Sequence, residues 1–261
     1  GGLLVGATMT INPKIAKEKP DKSSDCPFCQ VHQLTNILDQ NGAMIWLENK
    51  YRTLEETYQT IIIESDDHWG DISNYTYDYN RQLIRYAMDK FSSMQSRKTF
   101  QSVAMFKNYG PLSGGSLRHP HLQIVGFESQ NVYEALKTEN FEGLTVCEED
   151  SYHAEINLST EPIMGFCEFN IITSQNKLDY FADAIKNVVM YLIKDYFLGN
   201  CRSYNLFFFR SKAKVMCKVV PRFVVSPYYV GYKVSQMNDM TRLVEIKQEF
   251  LKKFRSYYVK K

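Results

Sequence analysis

The chain has 261 residues, 44% of them hydrophobic and 14% aromatic, with a formal net charge of +2. That length supports one large domain or two small ones sharing an interface, around an aromatic-rich core. The near-neutral balance gives no reason to expect a nucleic-acid polymer or a membrane surface as partner, and no apolar run approaches the roughly 20 residues of a membrane span.

Leu3-Leu4-Val5 is too short for a signal-peptide core, so a cytoplasmic protein is expected, with Met9 a candidate natural start. Residues 12–25, rich in Lys and Pro, read as an extended arm that leads into Cys26-Pro27-Phe28-Cys29. Residues 44–47 and 60–63 concentrate β-branched and aromatic side chains and predict strands. Across 75–94, Tyr75, Tyr79, Leu83, Ile84, Ala87, Met88 and Phe91 recur at three and four, the spacing of an amphipathic helix. Residues 102–109 and 119–127 return to strand. The same order of elements follows in the second half: strands at 153–158 and 165–173, a helix at 177–198 with Leu178, Phe181, Ala182, Ile185, Val188, Val189 and Leu192 inward, and strands at 203–210 and 214–220. This is a duplication of pattern rather than of sequence. A last amphipathic helix is predicted over 236–258, burying Leu243, Val244, Phe250, Leu251 and Phe254.

Chemistry concentrates in His119-Pro120-His121-Leu122-Gln123, which Ser113-Gly114-Gly115-Ser116 precedes. On a strand, His119, His121 and Gln123 share one face at about 6–7 Å intervals, and Pro120, Leu122 and Ile124 take the apolar face. The chain has five histidines and six cysteines. Cys26 and Cys29 form a CxxC pair, and His68 and His119 complete two thiolates and two imidazoles, the tetrahedral set that zinc prefers. Two reduced cysteines in a surface turn is the alternative for the CxxC alone. A disulfide framework does not suit a cytoplasmic chain of this size. Cys147, Cys167, Cys201 and Cys217 stand singly among apolar residues, as buried thiols do. His32 and His153 read as ordinary surface or core residues.

Phe106-Lys107-Asn108-Tyr109-Gly110, Gly114-Gly115-Ser116 and His119-Pro120-His121-Leu122-Gln123 together resemble the active-site run of the galactose-1-phosphate uridylyltransferases. These belong to the histidine-triad superfamily, beside the dinucleoside-polyphosphate phosphorylases. The resemblance implies an α+β fold of two histidine-triad-like lobes, each an antiparallel sheet with a packed helix, plus a C-terminal helix. The lobes would span residues 1–140, with the active site and zinc, and 141–261, degenerate. It implies that His121 is the nucleophile and that His119 joins Cys26, Cys29 and His68 in a structural zinc site. Asn49 matches the asparagine of the nucleoside pocket, and Tyr229-Val230-Gly231-Tyr232-Lys233 extends the likeness weakly. The partners implied are a nucleotide donor (a nucleotide-sugar or dinucleoside polyphosphate), a phosphate-bearing acceptor and a second copy of the chain as a homodimer.

The residue types suit nucleotidyl transfer. Imidazole, with an ordinary pKa near 6.5, is both nucleophile and leaving group at neutral pH, and a covalent nucleotidyl-histidine splits one hard displacement into two easier ones. The other ring N–H must then be held, and a backbone carbonyl near His119–Pro120 is the natural acceptor. Gln123 hydrogen-bonds a phosphoryl oxygen but does not shuttle protons, which favours a transferase or phosphorylase over a hydrolase. Gly114, Gly115 and Ser116 offer backbone N–H groups and a hydroxyl to a phosphate, and Asn108 joins them. Ser116 counts with His121 and Gln123 in the catalytic set. Two other readings stay open: both histidines as metal ligands in a structural module, or a scaffold that binds nucleotides without transferring them.

The departures bear on substrate. Lys233 stands where hexose-recognising relatives carry an acidic residue, and Lys50 follows Asn49 where an aspartate is common. In the second half Val219-Val220-Pro221-Arg222-Phe223 occupies the stretch expected to hold a second His-x-His. Arg222, Lys218 and Tyr228 are candidates for the acceptor's phosphate, and neither the base nor a sugar is specified.

Overall fold

The runs of Ile, Val and aromatic residues become strands, and the strands fall into two units. The structure, a computed structural model, describes residues 8–18 and 25–258. One unit comprises residues 1–70, 86–106 and 117–135; the other comprises 71–85, 107–116 and 136–261.

The chain up to Phe127 forms α1 (Pro13–Glu18), β1 (Ile37–Asn41), β2 (Met44–Glu48), β3 (Thr57–Ile63), α2 (Tyr77–Gln95), β4 (Ser102–Tyr109) and β5 (His121–Phe127). In the first unit the strand order is β1-β2-β3-β5-β4, with β1, β2, β3 and β5 successively antiparallel. Thr60 to Ile63 are all buried, so this central stretch is covered on both faces and reads as a continuous apolar run. Ile45, Leu47, Ile61 and Ile63 pack with Phe28 from inside the CxxC turn. Burying each such side chain stabilises the fold by about 1.5–3 kcal/mol. Lys90 of α2 pairs with Asp39 and lays its ammonium 6.0 Å from the Trp46 ring centre.

The second unit adds β6 (Gly143–Cys147), α3 (Glu149–Tyr152), β7 (Glu155–Ser159), β8 (Gly165–Phe166), β9 (Phe169–Ser174), α4 (Leu178–Lys194), β10 (Tyr204–Arg210), β11 (Lys214–Pro221), α5 (Pro227–Tyr232), β12 (Gln236–Met237) and α6 (Met240–Tyr258). Its main strands follow the order β10-β11-β9-β7-β6, all antiparallel. The short β8 pairs in parallel with β12. Helix α4 is buried almost all round because its polar residues are answered. Asp183 binds Arg81 at 2.7 Å, the Lys186 ammonium donates to the Ile72 carbonyl at 3.0 Å, and Asn187 accepts from the Tyr77 hydroxyl at 2.6 Å. The fold is therefore α+β, with antiparallel sheets, packed helices and a terminal helix, as the resemblance implied.

Several expectations change in detail. The arm over 12–25 contains α1, and residues 19–24 lie outside the described residues. The strand expected from His119 starts at His121, since the Pro120 carbonyl accepts from the Glu64 amide only at the strand's mouth. The run 165–173 breaks at Cys167 and Glu168, where the Glu168 carboxylate turns to accept the Ile163 and Met164 amides at 3.0 and 2.9 Å. The helix over 177–198 ends at Lys194: Phe197 and Leu198 adopt positive φ, and Leu198 is 95% exposed, so prolonging the helix would bury nothing there. In α6 the inward residues are Leu243, Ile246, Phe250 and Phe254, while Val244 faces out, because the i, i+3, i+7 spacing continues through Ile246. No helix among the described residues is long and apolar enough to cross a membrane.

Candidate functional site

The first unit gathers its chemistry around the turn of Cys26 to Cys29 and the mouths of β3 and β5. Cys26, Cys29, His68 and His119 bring their ligand atoms within 4.8 Å of one another. The Cys29 Sγ lies 3.4 Å from the Nδ1 of His68 and 3.4 Å from that of His119. A tetrahedral zinc, at 2.3 Å from sulfur and 2.0–2.1 Å from nitrogen, holds neighbouring S and N atoms about 3.5 Å apart. The donor set and its spacing thus fit a metal ion. The His119 Nε2 lies 2.8 Å from the Ser65 carbonyl oxygen, which assigns the proton to Nε2 and the lone pair to Nδ1, the arrangement of a ligating imidazole. Burial holds His119 below the ordinary imidazole value and keeps the ring neutral.

His121 opens β5 and is buried. Its Nδ1 lies 2.8 Å from the His119 carbonyl oxygen, so the N–H there donates and the lone pair falls on Nε2. The backbone of one histidine therefore orients the ring of the next. Phe28 stands edge-on to both, 5.9 Å from the His119 ring and 5.5 Å from that of His121. Gln123, two residues along the same face, is half-buried opposite Ile61 of β3. Asn49, just past β2, accepts the Tyr51 amide at 2.9 Å through Oδ1, a turn that fixes the direction of its carboxamide. Sequence reasoning passed over Trp69 and Arg118. Trp69 is 66% exposed, edge-on to His68 at 4.8 Å, and the Arg118 guanidinium sits 5.3 Å from its ring centre while donating to the Trp69 carbonyl at 3.0 Å.

The Gly-rich loop belongs to the second unit, which gives it its own scaffold. Gly110 adopts φ +82, and a Cβ there would lie 2.2 Å from the Arg202 carbonyl oxygen, so no larger residue fits. Ser113 is spent inside the loop, its hydroxyl donating to the Gly110 carbonyl at 2.7 Å, and Ser203 accepts the Leu112 amide at 3.1 Å. Gly114 (φ +86), Gly115 and Ser116 remain on the accessible side. Asn108 binds Asn205 through its Oδ1 at 2.6 Å. Asn205 carried no signal in the sequence, lying 97 residues from its partner.

The candidates for the acceptor's phosphate separate. Lys218 is 1% exposed, with its ammonium 2.8 Å from Glu168 and 2.7 Å from the Asn140 carbonyl oxygen, and burial lowers its pKa. It is an internal cation and not a surface for substrate. Arg222 donates to Asn205 at 2.7 Å, Tyr228 is exposed on α5, and Lys233 caps that helix in a left-handed conformation with its ammonium over the Tyr229 ring. The stretch 219–223 sits at the far end of β11. The residue that opens β11, as His121 opens β5, is Lys214, and neither end of β11 holds a histidine.

The architecture is shared with a solved uridylyltransferase (12% identity, TM-score 0.69, covering 89% of this chain and 93% of that one). It is shared as well with an ADP-glucose phosphorylase from Arabidopsis thaliana, solved with ADP-glucose bound (15% identity, TM-score 0.69, covering 91% and 92%). At these identities the likeness shows the fold alone, one shared with a uridylyltransferase and with an ADP-glucose phosphorylase. Residues 8–130 match the N-terminal domain, and residues 133–255 the C-terminal domain, of the family described as a domain of unknown function, DUF4931. A DUF4931 family protein from Bacillus cereus ATCC 10987 is 42% identical, with a TM-score of 0.75 over 86% of this chain and 100% of that one. The chain belongs to the DUF4931 family. No curated protein matches it.

Proposed function

We propose that this chain is a nucleotidyltransferase or phosphorylase that moves a nucleoside monophosphate between phosphate esters through a covalent His121–nucleotide. The observation that carries the proposal is the 2.8 Å bond from His121 Nδ1 to the His119 carbonyl oxygen, which selects the tautomer with its lone pair on Nε2. In the first step Nε2 attacks the α-phosphorus of a nucleoside-diphosphate donor. A P–N bond forms as the bond from phosphorus to the bridging oxygen breaks, and the remainder of the donor leaves as a phosphate ester. In the second, an oxygen of the acceptor's phosphate attacks the same phosphorus and the P–N bond breaks. Gln123 donates to a phosphoryl oxygen and offers no proton shuttle, so water is poorly served as the second nucleophile. Asn108, Gly114, Gly115 and Ser116 bind the donor's phosphates, and Asn49 the nucleoside. Cys26, Cys29, His68 and His119 hold a structural zinc, whose contribution is to tie the CxxC turn to the β5 mouth and thereby fix the His119 carbonyl. A reducing, cytoplasmic setting suits these thiolates, and the chain works as a homodimer.

Intact-protein mass spectrometry tests the reaction directly. Incubation with UDP- and ADP-sugars, UTP, ATP and dinucleoside polyphosphates should yield a nucleoside-monophosphate adduct with one donor class, lost entirely in His121→Asn. An adduct that persists in His121→Asn refutes the nucleophile. No adduct with any donor would favour a binding module or a hydrolase.

A further inference from the structure

Asn205, in β10, is 2% exposed, and its carboxamide has only one workable orientation. Its Nδ2 faces three acceptors: Asn108 Oδ1 at 2.6 Å, the Ser113 carbonyl at 3.1 Å and the Lys107 carbonyl at 3.3 Å. Its Oδ1 lies 2.7 Å from Nη1 of Arg222, a group that only donates. Turned over, the amide would set oxygen against three oxygens and NH2 against a guanidinium. The constraint passes on to Asn108. Because Asn108 Oδ1 accepts from Asn205, its Nδ2 is directed away, with no acceptor among the described residues. The Gly-rich loop runs along this side chain, for a Cβ on Gly115 would come within 3.0 Å of Asn108 Cβ and 3.9 Å of Asn108 Nδ2.

We infer that Asn205 is a positioning residue which, with Arg222 behind it, locks the Asn108 carboxamide so that its N–H donors serve the phosphate of a bound nucleotide. The inference rests on the Gly114–Ser116 loop being that phosphate's site. An asparagine without this lock has two orientations of similar energy, and one of them sets an oxygen against the anion. Fixing the donor in advance removes that loss at the moment of binding. Arg222 thus acts through Asn205, and not on the acceptor's phosphate.

The test is titration calorimetry of the full chain with ADP and with inorganic pyrophosphate, run beside the His121 adduct assay. In Asn205→Asp the carboxylate keeps Arg222 as partner but gives Asn108 no N–H. Asn108 then turns to donate to it and faces the ligand with oxygen. Binding should weaken about tenfold to a hundredfold, the scale of one charge-assisted hydrogen bond. Asn205→Ala, which only releases Asn108, should weaken it about threefold to tenfold. In an Asn108→Ala background both changes should cost less than about twofold, because the group they position is gone. Arg222→Lys, which keeps a donor, should bind better than Arg222→Met, and Arg222→Met should add nothing to Asn205→Ala.

Wild-type binding in the Asn205 variants would overturn the inference, as would losses that add to that of Asn108→Ala, the mark of a general structural role. Arg222→Met losses additive with Asn205→Ala would place Arg222 on the ligand and break the relay. Failure of the wild type to bind either probe would overturn the positioning role together with the loop's assignment. Probe binding that follows the predicted pattern without any His121 adduct would uphold the positioning role and sink only the transfer reaction.

Discussion

In the first unit, four side chains with lone pairs, Cys26, Cys29, His68 and His119, turn toward one another. In the second, an ammonium stands between a carboxylate and a carbonyl, Lys218 between Glu168 and Asn140. The strand order β2-β3-β5-β4 in one unit is matched by β7-β9-β11-β10 in the other, so the same scaffold carries two different polar centres. Four such donors can be bridged by a cation from outside the chain, whereas the second unit carries its cation in its own sequence. The lesson is that a repeated topology does not repeat its polar chemistry.

Chelation, or Cys29→Ser, breaks the comparison most severely. Structural zinc sites contribute on the order of 10 kcal/mol to folding, so metal removal should lower Tm by at least about 10 °C. Amide exchange should show β3 and β5 losing protection while β9 and β11 retain it. Equal loss in both units, or a metal-free protein of unchanged Tm, would show that the first unit does not need its cation. Next in size, Lys218→Met should cost about 3–5 kcal/mol by denaturant unfolding, since Glu168 is left as an unpaired buried charge. Adding Glu168→Gln should recover more than half of that, and no recovery would mean that Lys218 works through packing alone. The smallest effect belongs to Arg118→Ala, about 0.5–1 kcal/mol from the lost contact with the Trp69 ring. A cost above about 2 kcal/mol would make Arg118 part of the frame that holds the Cys26, Cys29, His68 and His119 group, and not an adornment of it.

Most of this was legible where local pattern and scarce chemistry coincide. The grouping of Cys26, Cys29, His68 and His119 was readable because thiol and imidazole donors are few and zinc's demands are specific, and the strands because Ile61 to Ile63 announce a buried run. The inward face of α6 was misphased at Val244, as two adjacent apolar residues leave the helical stripe ambiguous by one position. The break at Cys167 and Glu168 was hidden, since only the tertiary structure shows Glu168 serving backbone amides. Asn205 and its hold on Asn108 were out of reach altogether: a polar residue in an apolar strand has no periodicity, and its partners come from distant parts of the chain.

Trp69 has a practical consequence. The chain has two tryptophans. Trp46 is buried with its indole N–H on the Thr60 hydroxyl at 2.9 Å, and Trp69 lies open beside His68, one of the four grouped Cys and His side chains. Their emission should separate by environment, a blue component from buried Trp46 and a red, acrylamide-quenchable one from exposed Trp69. A cation taken up by the Cys26, Cys29, His68 and His119 group should therefore register in the red component, through the ring contact of Trp69 with His68, without label or substrate.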